Sequence, residues 1–141
     1  MTTGRAKRYL PGQTQKEAPM TNLTIKRVYD PPAPGDGRRI LVDRLWPRGV
    51  SKDRIDLWLK DLAPSDALRH EFHGHPDRWE EFCAAYATEL GSAPAQAALA
   101  TLAAERKQGP VVLLYAAKDE NRNNAQALRL WLDGRSFSVQ E

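Results

Sequence analysis

Two short apolar runs, ILV at residues 40–42 and VVLLY at 111–115, most strongly limit how this chain can fold. Neither run alternates with polar residues, which is typical of strands in a parallel sheet covered on both faces. Residues 76–91 carry an apolar stripe at helical spacing between a proline and a glycine that suit the two helix ends. Strands and helices in alternation predict an α/β fold, a single-domain layered fold with a small, mostly parallel sheet flanked by helices.

Capping and turn residues set the limits of the other elements. A Pro/Gly loop, PPAPGDG, separates the first two strands, and Ser65 is the predicted N-cap of a helix. Ser51 begins a predicted short amphipathic turn or helix that Pro64 must end. The predicted strands are 23–30, 38–45, 111–115 and a last edge strand at 137–139, and the predicted helices are 65–74, 76–91, 94–107 and 123–132.

Charge is unevenly distributed along the chain, whose formal net charge is +3. Residues 1–21 contain four basic residues and one acidic residue, so they account for this excess. They are polar and lack the apolar core of a secretory signal, which predicts a flexible basic tail followed by a domain at 22–141. Because a strand-like segment follows Met20 almost at once, we hypothesise that the natural chain starts there.

The remaining composition bears on the cellular compartment. No apolar run is long enough to cross a bilayer, so no membrane partner is predicted. The single cysteine, Cys83, allows no intrachain disulfide, which favours a cytoplasmic location. Cys83 also lies on the apolar stripe of its helix, where a packing role is expected rather than a nucleophilic one.

Polar clusters follow both apolar runs directly. The first contains Asp43, Arg44, Trp46 and Arg48, and the second contains Lys118, Asp119, Asn121 and Asn124. In open α/β sheets, ligands bind beyond the carboxyl ends of the strands. If the two strands are parallel neighbours, the clusters meet at one edge of the sheet and form the floor of a pocket.

Two interpretations of the positive charge in these clusters remain open. Arg44 and Arg48, with Lys118, suit a clamp for phosphate or carboxylate, because guanidinium matches planar pairs of oxygens. Alternatively, Asp43 and Asp119 neutralise the cations in structural ion pairs.

Further candidates are assigned by residue type. Asp43 is a candidate general base and Lys118 a candidate acid or nucleophile, but neither has a recognisable catalytic partner, so enzymatic activity stays open. Trp46 suits stacking on a flat ring or packing under its loop. The predicted ligand-binding residues are Arg44, Trp46, Arg48, Tyr29, Tyr115, Asp119 and Asn124.

Three histidines, His70, His73 and His75, surround a turn at Gly74 and are the candidates for metal binding. No cysteine or carboxylate completes a known ligand spacing, so no metal site is predicted. The sequence contains neither a dinucleotide-binding glycine motif nor a P-loop, and it identifies no cofactor.

Several motifs together resemble one known family. "IKRVYDPP", "RILVDRLWPRGVSK", "DLWLKDLAPS", "RWEEF", "LLYAAKDE" and the "NNAQAL…WL" ending are similar to the YeaO-like bacterial family, domain of unknown function 488. The resemblance extends from residue 25 to residue 132 and excludes the tail. It implies a small cytoplasmic α/β domain and no particular reaction.

The favoured function is therefore binding of a small anionic or nucleotide-like ligand, with or without chemistry, at the carboxyl ends of the central strands. One alternative is a nucleic-acid-binding module that uses the basic segment 26–60. It is disfavoured because the domain is neutral overall and has no helix-turn-helix or RNA-binding aromatic signature. The other alternative is a regulatory domain that binds another protein.

Overall fold

Four parallel strands form one sheet in the computed structural model, which describes residues 23–140 and the side chains of 23–134. The sheet order is β1-β4-β2-β3. The strands are β1 (Leu23–Arg27), β2 (Arg38–Leu41), β3 (Leu57–Trp58) and β4 (Val111–Tyr115). The helices are α1 (Asp66–Phe72), α2 (Trp79–Glu89), α3 (Ala93–Gln108) and α4 (Asn124–Gln140). This arrangement confirms the predicted α/β layered fold.

One face of the sheet packs against the helices. Leu113, in the central strand β4, pairs with Ile25 of β1 and Ile40 of β2, and all three contribute to one apolar cluster. Buried side chains from all four helices complete that cluster, among them Tyr86 and Leu128. Because both neighbours of β4 are parallel and the strand is fully buried, its uninterrupted apolar sequence is explained.

The other face is covered by loops. Leu41 and Leu114 point to this side, where they pack with Val50, Ile55 and the partly buried Trp58. None of the described helices contributes to this second cluster. The segment between β2 and β3 therefore takes the place of a helix layer.

The connection from β1 to β2 passes β4, since β1 and β2 flank β4 on opposite sides, and its first residue, Val28, packs in this second cluster. Asp36, near the end of the connection, binds a cation from each flanking strand. Lys26 Nζ of β1 lies 3.1 Å from its carboxylate, and Arg39 Nη1 of β2 lies 2.5 Å away. We call these three residues the Asp36 clasp. Arg39 is only 6% exposed, so its charge depends on this carboxylate.

Hydrogen bonding also sets the pKa of Asp36. Burial opposes its ionisation, but hydrogen bonds from the Ala33 amide, Lys26 and Arg39 outweigh burial and lower the pKa. Arg39 additionally donates from Nε to the Arg54 carbonyl at 2.6 Å. The Asp36 clasp thus links β1 and β2 through one ionised carboxylate, and Arg39 extends the link to the loop that contains Arg54.

Two sequence predictions differ from the structure. The segment after Ser51 contains the strand β3, paired at Leu57 with Ile40, between two 3-10 turns, Lys52–Arg54 and Lys60–Leu62. A two-residue strand is too short to show alternation. The predicted edge strand at 137–139 is wrong, because α4 continues to Gln140 and helical context overrides local strand preference. The predicted tail and the Met20 start lie outside the described residues.

Candidate functional site

The chain leaves the two central strands in opposite directions. After β2 it continues onto the loop-covered face, where Trp46 packs, whereas after β4 it enters α4 on the helix-covered face. Such a divergence leaves a crevice beyond the carboxyl ends of adjacent strands. A cavity of about 680 Å³ lies there, within the usual range for small-molecule sites. The structure thus brings the two predicted polar clusters to one cavity, except that Asn121 does not line it.

Asp43 links the strand ends at this cavity. Its Oδ2 accepts a hydrogen bond from the Ala116 amide after β4, and its Oδ1 accepts one from Asn124 Nδ2 at the start of α4, each at 2.9 Å. Asn124 also donates to the Val42 carbonyl at 2.9 Å. Burial raises the pKa of Asp43, while these two hydrogen bonds and the charge of Arg69 oppose the rise. The carboxylate is fixed in place, and it lines the cavity.

Cations outnumber carboxylates around the cavity. Its cationic side chains are Arg44, Arg48, Arg69, Lys118 and Arg122, and its carboxylates are Asp43 and Asp119. Arg44 donates to the Pro64 and Ala63 carbonyls, each at 3.3 Å, and forms no ion pair with Asp43. Within residues 23–134, the side chains of Arg48 and Lys118 have neither a hydrogen bond nor an ion pair. The ion pairs of the alternative interpretation are therefore not formed in this part of the chain.

The Asp119 carboxylate accepts hydrogen bonds from the turn in which it lies. Its Oδ1 accepts hydrogen bonds from the Asn121 and Arg122 amides at 2.9 and 3.0 Å, and these bonds lower its pKa. Asn123, which is buried, caps α4 by accepting from the Gln126 amide at 2.8 Å. The positive end of the α4 dipole consequently lies at the cavity.

Three aromatic side chains, Phe72, Trp79 and Phe82, line another side of the cavity, and we call them the aromatic wall. Trp79 stacks on Phe82 with ring centroids 5.7 Å apart, and Phe72 meets Phe82 edge-on at 5.8 Å. The helical spacing of Trp79 and Phe82 predicted a packing stripe and did not reveal their second role. Nothing in the stripe marks these two rings, because Tyr86 of the same stripe is buried in the core.

Arg69 and Arg122 were also missed. Arg69 lies on α1 and pairs with Asp66 at 3.2 Å, and the exposed Arg122 donates to the Pro76 carbonyl. Neither follows a strand directly, so the rule that located the site does not select them.

The predicted aromatic residues occupy different places. Tyr29 lines the cavity and donates from its hydroxyl to the Arg48 carbonyl at 3.1 Å. Trp46 lines it too, but its Nε1 donates to the Val50 carbonyl at 2.7 Å and its ring packs edge-on against Trp58. Tyr115 is only 3% exposed and belongs to the core, not to the cavity.

The histidines are divided by the turn at Gly74. His73 and His75 line the cavity and His70 does not. Among the described residues, no group of three or more His, Cys, Asp or Glu side chains could hold a metal ion. Cys83 is partly buried, and burial raises the pKa of its thiol, as expected for a packing role.

Ser65 caps α1, which carries Arg69 and Phe72 to the cavity. Its Oγ accepts from the Leu68 amide at 3.1 Å and donates to Glu89 at 2.5 Å, and its amide donates to Glu89 at 2.8 Å. We expect Ser65→Ala to lower the free energy of unfolding by about 1–2 kcal/mol in urea titrations.

Ser92→Ala is the matched control for that variant. Ser92 caps α3 with a longer bond, 3.4 Å to the Ala95 amide, and no carboxylate of the described residues bonds to it. Ser92→Ala should therefore lower the free energy of unfolding by less than Ser65→Ala does. Equal losses would show that the Glu89 bonds add nothing to the cap.

The fold and the site define a small α/β domain with a cation-rich cavity at the carboxyl ends of its two central strands. The profile of the family described as "Inactive DUF488-N3 subclade" matches residues 22–140, and the chain belongs to this family. The resemblance to YeaO-like proteins is thereby confirmed.

Individual relatives agree with this assignment. The uncharacterized protein YeaO of Escherichia coli K12 is 43% identical over 113 residues, which cover 79% of this chain and 96% of YeaO. The uncharacterized protein Rv3073c of Mycobacterium tuberculosis H37Rv is 40% identical over 117 residues, covering 82% of this chain and 97% of that protein. No solved structure matches the chain. Within the described residues, no helix is long and apolar enough to cross a membrane.

Proposed function

We propose that this domain binds a small anionic ligand in the cavity beyond β2 and β4. The observation that carries the proposal is the excess of cations there: five cationic side chains line the cavity with two carboxylates, Asp43 and Asp119, and among the described residues only Arg69 of the five forms an ion pair, with Asp66. Both carboxylates accept hydrogen bonds from amide groups of the protein, and neither neutralises Arg48 or Lys118. An anion that enters the cavity would supply the missing negative charge.

Binding is favoured over catalysis. Asp43 and Lys118 were the candidate catalytic residues. Asn124 and the Ala116 amide orient Asp43, but neither is a nucleophile or a base, and the Lys118 side chain has no hydrogen-bond partner among the described residues. The family is described as an inactive subclade, which agrees with a binding role.

The basic segment 26–60 supports the nucleic-acid alternative less well. Lys26 and Arg39 are held by Asp36, and Arg38 is paired with Glu105 at 2.7 Å. Arg27 donates to the carbonyls after β4. These four cations serve the fold, so they are not available to a basic face of the kind that phosphate backbones require.

A binding screen with the full chain tests the proposal. Thermal shift and calorimetry would be run with nucleotides, phosphosugars, inorganic phosphate and carboxylates. We expect at least one anion to bind, and Arg48→Ala and Lys118→Ala each to weaken it about tenfold, because each removes a charge-assisted hydrogen bond.

Lys107→Ala is the matched control for loss of one positive charge. Lys107 is exposed near the end of α3 and does not line the cavity. It should bind the ligand like the parent. If no anion in the screen binds, or if all three variants lose affinity equally, the cavity is not the site of anion binding.

A further inference from the structure

We infer that the ligand is a nucleoside monophosphate, with its phosphate at Arg48 and Lys118, a ribose hydroxyl at Asp43 and its base against the aromatic wall. This inference rests on the proposed function and names the ligand class of the same cavity. Three separate features of the cavity require three different chemical groups in one ligand.

The first feature is a carboxylate in a site for anions. An ionised Asp43 repels a simple anion, so its position in the cavity needs another reason. Among the described residues, each Asp43 oxygen accepts one hydrogen bond, at 2.9 Å, whereas a carboxylate offers about four acceptor positions. Hydroxyl groups of a ligand can donate to the positions that remain. Carboxylates at strand ends bind ribose hydroxyls in this way in dinucleotide-binding folds.

The second feature is the aromatic wall. Phe72, Trp79 and Phe82 line a cavity that otherwise carries much charge. Trp79 and Tyr86 stack on Phe82, and the Arg78 guanidinium lies 4.5 Å over Phe72, so Trp79 is the ring that we assign to the base. Inorganic phosphate or a sugar phosphate would leave these rings against water or polar groups. A nucleobase stacks on such rings whatever its identity, because every base has a π-face.

The third feature is the placement of the cations. Arg48 follows β2 and Lys118 follows β4, so they approach the crevice from its two sides. The N-terminus of α4, at Asn123 and Asn124, lines the same cavity, and its dipole favours negative charge. A phosphate group, with several oxygens, can accept from both side chains at once.

Calorimetry on the full chain would compare four ligands: AMP, 2′,3′-dideoxy-AMP, ribose 5-phosphate and inorganic phosphate. We expect AMP to bind at least tenfold more tightly than either its dideoxy analogue or ribose 5-phosphate. Inorganic phosphate should bind most weakly of the four. The dideoxy comparison tests the hydroxyl contact in the unaltered protein, so it does not depend on how any variant folds.

Three variants assign the groups of the ligand to their contacts, and a fourth, Lys107→Ala, is the control. Trp79→Leu should lower the affinity for AMP about tenfold and leave the affinity for ribose 5-phosphate unchanged. Asp43→Asn should remove the preference for AMP over its dideoxy analogue. Arg48→Ala should lower the affinity for all four ligands. Lys107→Ala should leave all four affinities unchanged. Thermal unfolding of each variant shows whether it is folded.

The outcomes separate this inference from the proposed function. If phosphate binds as tightly as AMP, or AMP as tightly as its dideoxy analogue, the nucleotide assignment is overturned and anion binding stands. If none of the four ligands binds but another anion in the screen does, the assignment is likewise overturned. If no anion binds, both proposals fall together.

Discussion

Gly37→Ala is expected to lower the free energy of unfolding by about 3–5 kcal/mol, since left-handed strain and overpacking add. Gly37 has a φ of 70°, and a Cβ added to it would lie 2.2 Å from the Pro110 carbonyl oxygen. That oxygen is fixed, because it accepts the Arg38 amide hydrogen bond at 3.0 Å where β2 meets the start of β4. The backbone must therefore move, and the pairing of β2 with β4 moves with it. Urea unfolding would show a lower midpoint.

Gly49→Ala separates the two contributions. Gly49 also has a positive φ, 78°, but a Cβ added to it would have no neighbouring atom within 4 Å. Gly49→Ala should lower the free energy of unfolding only by the cost of the positive φ, about 1–2 kcal/mol. If Gly37→Ala and Gly49→Ala lowered the free energy of unfolding equally, the contact between the added Cβ of residue 37 and Pro110 would contribute nothing to the loss.

Asp36→Asn should lower the free energy of unfolding by about 2–4 kcal/mol, because it leaves Arg39 with an uncompensated buried charge. Among the described residues, one Arg39 nitrogen, Nη2, already lacks a hydrogen-bond partner. Lys26 loses its ion pair in the same variant. Chemical unfolding at neutral pH measures the loss.

Glu105→Gln is the matched control, since it also removes one carboxylate charge from an ion pair with a β2 arginine. That pair is more open, with the Arg38 side chain 45% exposed, so the parent's stability should be nearly retained. Equal losses for the two variants would contradict a special role for the Asp36 clasp.

The pH dependence of Asp36→Asn provides an independent check. The folded-state pKa of Asp36 lies below its unfolded value, so the ionised carboxylate stabilises the fold above about pH 4. This stability is lost as pH falls through the folded-state pKa. The difference between parent and variant should be constant near neutral pH and shrink in acid. A difference independent of pH would assign the loss to altered packing.

The sequence was most informative where burial leaves few alternatives. The VVLLY run identified β4, and Ser65 and Asn123 marked helix starts, because capping and full burial act locally. The two-residue β3 carries no such pattern. Its pairing with β2 depends on the turns on either side, which only the folded chain reveals.

The candidate site was predicted in part for a similar reason. Asp43, Arg48 and Lys118 directly follow apolar strands, so a rule about strand ends places them together. The aromatic wall comes from α1 and α2, and its approach to the strand ends depends on tertiary packing. A stripe of apolar residues does not tell which rings stay covered.

The strand order has a consequence for synthesis on the ribosome. β1 pairs only with β4 among the described strands, and β4 is the last of the four to be made. A nascent chain that ends before Val111 therefore holds a first strand without a partner and a second strand paired only with the two residues of β3. The four-stranded sheet can form only after its central strand, β4, has been made. By then nearly four-fifths of the chain has been translated.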